Sequence, residues 1–120
     1  MRASNELILN IADISSGGPF TSVAIPANQM LSISAQAVGT GTTPGGTLKM
    51  QASDDPSNPT TGGTAPANWT DITGATATVA AANTPVIMPK VEVCYGWVRF
   101  VFTTSGGSGP LTVRAMSQGL

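Results

Sequence analysis

Apolar and polar residues alternate in short runs along this chain. The clearest run is residues 29–38, where Leu31, Ile33, Ala35 and Ala37 interleave with Ser32, Ser34 and Gln36. A period of two places one set on each face of a strand, so this segment predicts a strand with one core face and one wet face. Residues 47–53 repeat the pattern, with Leu48, Met50 and Ala52 opposed to Lys49, Gln51 and Ser53, and the Gly/Thr/Pro-rich stretch 39–46 between the two runs predicts a hairpin. The strongest β segment is 95–103, with Val98, Phe100 and Phe102 on one face and Tyr95, Trp97, Arg99 and Val101 on the other. A Gly-rich turn at 105–110 leads to 111–116, where Leu111, Val113 and Ala115 face one way, and these two segments predict a second hairpin.

Shorter runs fill the rest of the pattern. Residues 6–13 place Leu7, Leu9 and Ile11 on one face and Ile8 on the other, residues 21–25 form a short strand closed by Pro26, and residues 69–72 form one ended by Thr73 and Gly74. Residues 76–80 and 85–88 are further short strands. No window keeps an i, i+3, i+4, i+7 apolar pattern for three turns, and the one plausible helical turn lies at 79–83, where three alanines fall together. About eight or nine strands, with no internal repeat and no domain boundary, predict a single all-β domain over residues 1–120, an antiparallel β-sandwich or jelly roll.

Composition changes the picture of the surface. Charged residues make up 9% of the chain, against roughly 25% in an average soluble domain. Thr, Ser, Asn, Gln and Gly must do the solvating, and such a surface has little like-charge repulsion to keep copies apart. Packing into an assembly fits this composition, and so does a Thr-rich domain of low charge. The net charge is -1 and no run of Lys or Arg occurs, so phosphate-backbone binding lacks its electrostatic footprint and nucleic acid is not expected as a partner. No apolar stretch is long enough to span a bilayer, so no membrane is expected either, and the run at 7–11 is too short and too polar for a signal peptide. These points predict synthesis in a cytoplasm, with any release by lysis. The single cysteine, Cys94, rules out a disulfide within the chain and is expected in the core.

Candidate chemistry is sparse. The chain has no histidine, which removes Ser-His-Asp and Cys-His arrangements and every His-containing metal site. No cofactor and no metal are expected. Acid–base work by paired carboxylates would fall to Glu6, Asp13, Asp54, Asp55, Asp71 and Glu92. Asp54 and Asp55, however, open the long polar loop 54–68 and read for chemistry as a solvated turn entry before Pro56, while the loop itself, with both carboxylates, is a candidate contact surface for a neighbouring subunit. The same carboxylates lack the spacing and number of oxygens that Ca²⁺ requires. Two aromatic positions stand out. Trp69 closes the long loop and either caps the core, the preferred reading, or offers a flat face to a sugar or a neighbouring subunit. Tyr95, Trp97 and Arg99 form either an interface stripe on the less buried side of a sheet or, if the strand phase is inverted, part of the core.

The order of elements over the last 70 or so residues resembles that of small bacteriophage virion structural proteins. It runs from Leu48-Lys49-Met50-Gln51 through Asp54-Asp55-Pro56, a polar loop, Trp69-Thr70-Asp71-Ile72, a turn containing Pro89 and Cys94-Tyr95-Gly96-Trp97-Val98-Arg99-Phe100, to Leu111-Thr112-Val113-Arg114. The resemblance implies a β-sandwich carried on the virion as a head decoration or cement protein. Such a protein would be a homo-oligomer, commonly a trimer, with the major capsid protein or other virion proteins as partners, and not an enzyme. The same order is similar to discoidin-like, galactose-binding jelly rolls, which implies a rival function as a glycan-binding module of a tail or adsorption apparatus.

Overall fold

The alternating segments become nine strands in a computed structural model that describes residues 2–27, 30–55 and 66–119. In chain order they are β1 (Arg2–Ile11), β2 (Phe20–Thr21), β3 (Ile25–Pro26), β4 (Met30–Gly39), β5 (Gly45–Ser53), β6 (Thr70–Val79), β7 (Val86–Glu92), β8 (Trp97–Gly106) and β9 (Leu111–Gly119). One sheet runs β1-β9-β4-β7 and the other β2-β8-β5-β6, with β3 adding to β8 beyond β2. Every pairing is antiparallel. This is the all-β antiparallel sandwich that the alternation predicts. Its core lies where Ile33, Met88 and Val113 of the first sheet meet Leu48, Met50, Phe100 and Phe102 of the second, all fully or almost fully buried.

Strand partners differ from expectation. The four best-patterned segments are the central strands, but β4 pairs with β9 and β5 with β8. Neither expected hairpin forms. Each Gly-rich connection instead carries the chain over one end of the sandwich into the opposite sheet. The two connections brace each other there, with Thr40 N–H donating to the Pro110 carbonyl and Ser108 N–H to that of Thr42, both at 3.1 Å. Alternation tells a strand which face is buried, not which neighbour it will find.

Bulges account for most other departures. In β1, Leu7 lies opposite Arg114 and Leu9 opposite Val113, so Ile8 is an extra residue and the alternation inverts. Leu7 is therefore exposed while Ile8 packs on the core. A register shift between Met30 and Ser32 likewise leaves Leu31 exposed, not in the core. The segments expected at 69–72 and 76–80 are one strand, β6, in which Lys49 faces Thr76 but Gln51 faces Asp71, and Gly74 at φ 82° lies within the irregularity. Pro89 is not in a turn but in β7, at a register shift in an edge strand, a place where its missing N–H costs no ladder bond.

The strand expected at 21–25 is split into β2 and β3. Buried Ser22 carries the ladder across the gap, its N–H donating to the Phe100 carbonyl at 2.8 Å and its Oγ accepting the Phe100 N–H at 2.9 Å. Residues 81–83 make a turn without helix, and the one helical element among the described residues is a 3₁₀ turn at Ile14–Ser16 capped by Asp13. Cys94 is exposed, contrary to expectation. Between β7 and β8 its neighbours Val93 and Tyr95 pack on the core, which leaves the cysteine turned away.

Candidate functional surfaces

The register of β5 decides which polar side chains meet. Gln51 lies opposite Arg99 of β8 on one side and opposite Asp71 of β6 on the other. Arg99 Nε donates to Gln51 Oε1 at 2.7 Å, and Gln51 Nε2 donates in turn to Asp71 Oδ1 at 2.8 Å. Lys49 Nζ completes the chain on Asp71 Oδ2 at 3.2 Å. Hydrogen bonds from Gln51, and secondarily from Lys49, hold the Asp71 carboxyl below its ordinary value. The guanidinium of Arg99 also lies over the Trp69 ring, 4.4 Å from its centroid. The Trp69 indole N–H is taken by the Pro66 carbonyl at 3.2 Å. A planar, charge-bearing surface is thus held in one shape across three strands.

Trp69 ends half-buried, between the two positions open to it from sequence, and β6 begins one residue later. Trp97 and Arg99 occupy successive outward positions of β8 and are half-buried, while Val98 and Phe100 are fully buried. Of the two phases open from sequence, the structure has the one that turns Trp97 and Arg99 outward, although Val101, expected on the same face, is buried. Tyr95 does not extend that stripe, because β8 starts at Trp97 and Tyr95 packs against the core.

Asp54 and Asp55 act on the loop that they open. Asp54 Oδ1 accepts the Gly96 N–H at 2.8 Å, which fastens the end of β5 to the approach to β8. Asp55 Oδ2 accepts the N–H groups of Ala67 and Asn68 at 2.7 and 3.0 Å, and its Oδ1 accepts Asn68 Nδ2 at 3.1 Å. The two ends of the loop are clamped together, while its middle, residues 56–65, lies outside the described residues. Ser53, Asp54, Asp55, Asn68, Thr70 and Tyr95 line a polar hollow there.

The backbone and side chain of Asn68, with the backbone of Ala67, lower the Asp55 pKa. A depressed carboxylate contributes stability that is complete above its unfolded value, near 3.9, and fades as pH falls through the lower folded value. Hydrogen exchange at the Ala67 and Asn68 amides should therefore be slow at neutral pH and quicken, relative to the intrinsic rate, once the solution is acidified below about pH 4. Asp55→Ala should show the fast exchange at every pH. Equal protection in the variant would mean that the clamp does not hold the loop.

A second surface was not picked out from the sequence. On the outer face of the first sheet, Leu7 faces Arg114, Arg114 faces Gln36 and Gln36 faces Ile87, a single row across all four strands. Met116 stands in the next row between Asn5 and Ser34. Ile87 is 67% exposed, Met116 49% and Leu7 45%. Met116 and Ile87 carried a usable signal, since they alternate with buried Ala115 and Met88. Leu7 did not, because the bulge that turns it outward leaves no mark in the pattern.

Among the described residues no three His, Cys, Asp or Glu side chains come together in a way that could hold a metal ion. No helix among the described residues is long and apolar enough to cross a membrane. Asp54, Asp55 and Asp71 are each engaged by donors of their own, an arrangement that holds a surface in shape.

No protein-family profile matches the chain, and no curated protein sequence matches it. Solved structures do. Against the PBSX exported protein XepA the TM-score is 0.75 at 15% identity over 98% of this chain, which spans 37% of that one. Against the SPBc2 prophage-derived protein YomS the TM-score is 0.55 at 12% identity, covering 97% of this chain and 92% of that one. For PirA it is 0.53 at 12% identity, covering 92% and 90%. At such identities the likeness concerns the fold, and the chain is a two-sheet β-sandwich of the architecture found in a part of XepA.

Proposed function

We propose that this chain is a non-enzymatic structural protein of a bacteriophage particle, a head decoration or cement protein that stabilises the capsid by bridging neighbouring subunits. The observation that carries this reading is the pair of different, solvent-facing surfaces set back to back on one rigid sandwich. One is the outer face of the first sheet, where Leu7, Met116 and Ile87 stand exposed among Asn5, Ser34, Gln36 and Arg114, and the other is the Trp69–Arg99–Gln51–Asp71 network. A bridge needs two contact surfaces on opposite sides, and Trp and Arg on one and large apolar side chains on the other are residue types that bury well between proteins. The low charge of the chain reduces repulsion between closely packed copies. That YomS is prophage-derived is in keeping with a phage origin.

In this reading the chain is made in the host cytoplasm, assembles as a homo-oligomer, a trimer as the resemblance to decoration proteins implies, contacts the major capsid protein and leaves the cell by lysis. The glycan-binding alternative would place a sugar on Trp69, but one face of that ring lies under Arg99 and its N–H is spent on Pro66. The test is co-sedimentation of the purified chain with heads prepared without it. Wild type should pellet with the heads, and Ile87→Lys and Arg99→Ala should each weaken binding at least about tenfold, as loss of an interface anchor does. A wild-type chain that stays in the supernatant rejects the proposal, and loss in only one variant rejects the two-surface bridge.

A further inference from the structure

The two sides of the sandwich are closed differently. On one side the edge strands β6 and β7 are consecutive in the chain and pack together. On the other, β1 and β2 are the edges of their sheets and barely touch, leaving a groove between them. Leu9, Ile11, Pro19 and Phe20 supply its apolar lining, and Asp13, at one end, is the only charged residue among those that line it.

Both rims of this groove are strand edges. β1 bonds only to β9, so the backbone N–H and C=O groups on its other side face the groove, and β2 is an edge in the same sense against β8. A row of alternating donors and acceptors above an apolar floor is the chemistry that an extended peptide satisfies, its backbone pairing with the rim and alternate side chains filling the floor. The bulge at Ile8 disrupts β1 before the groove begins, so the regular part of this edge beside the groove is its last three residues, 9–11. Asp13 is fixed at the end of that run, its Oδ1 accepting the N–H groups of Ser15 and Gly109 at 3.0 Å each. It gives the groove a negative end with no neighbouring cation in the lining.

We infer that the β1–β2 groove is a binding site for an extended segment of another protein chain, one that alternates apolar and polar residues, adds as a strand to the edge of β1 and places a Lys or Arg beside Asp13. This site lies apart from the two faces proposed above as contact surfaces and does not depend on them.

A synthetic peptide of alternating valine and threonine with a lysine at each end is a suitable probe, titrated into the full chain while backbone amide shifts are recorded by NMR. Saturable binding below about 1 mM is expected, with shifts concentrated at residues 9–13 and 19–21. The same peptide N-methylated at alternate residues along one edge should bind at least about tenfold more weakly, since it loses its strand donors, and glutamate in place of the terminal lysines should also weaken binding. Asp13→Asn should abolish the preference for lysine over glutamate ends. Absence of binding, shifts elsewhere on the molecule, or indifference to N-methylation would overturn the inference. Such a failure would leave co-sedimentation with heads unaffected, whereas failure of the virion reading would leave the peptide site standing.

Discussion

Phe100→Ala is expected to cost about 3–5 kcal/mol, the range for removing a fully buried phenylalanine from a core. Phe100 has no exposed surface, lies on β8 at the centre of its sheet and faces Met50 across the β5–β8 ladder. Its backbone is held on both sides, by β5 and by Ser22, so the surrounding strands have little freedom to collapse into the space left behind. Domains of this kind have about 5–15 kcal/mol of stability in total, so the variant should sit close to unfolding. Urea denaturation reads this directly as a fall in the midpoint. A change under about 1 kcal/mol would mean that the core is not packed as described.

Gly41→Ala should be nearly as damaging for a different reason. The connections 40–44 and 107–110 cross in contact, and a Cβ on Gly41 would lie 2.0 Å from the Ser108 carbonyl oxygen and 2.5 Å from the Gly109 Cα. These are backbone atoms, which no rotamer change can move. The crossing must therefore open, and the Thr40–Pro110 and Ser108–Thr42 hydrogen bonds go with it. A loss of at least about 2 kcal/mol is expected, well into the range for forced overpacking. Gly106→Ala is the matched control, since a Cβ there meets nothing within 4 Å. Equal loss in both variants would contradict the idea that close approach, and not general turn flexibility, requires glycine at position 41.

The sequence read the buried faces well where strands are regular. Ile33, Ala35 and Ala37, Leu48 and Met50, Val98, Phe100 and Phe102, and Leu111, Val113 and Ala115 are all in the core as their alternation requires. It misread Leu7 and Leu31, because a bulge adds one residue to one strand and composition carries no trace of it. It also misread partners. A short Gly-rich connection suits a hairpin and an end-crossing equally, and the choice between them is made by the other strands, which are distant in sequence. Cys94 was misplaced because the pattern does not show that the chain leaves the sheet between β7 and β8.

The candidate surfaces were legible in part. Alternation puts Trp97 and Arg99 on one face of their strand without deciding between outside and core, and the partnership of Arg99 with Gln51 and Asp71 depends on the register of β5 between β8 and β6. Asp54 and Asp55 were recognisable as loop residues. Their role as clamps on Gly96 and on Ala67 and Asn68 needs the return path of the chain, which only the fold supplies.

A sandwich that is a building block of a phage particle must be found in the particle. Quantitative mass spectrometry of purified particles, made by the genome that encodes the chain and separated into heads and tails, tests that role most directly. Hundreds of copies per particle, recovered with the heads, are expected. Absence from the particles, or a few copies confined to the tail fraction, would contradict it.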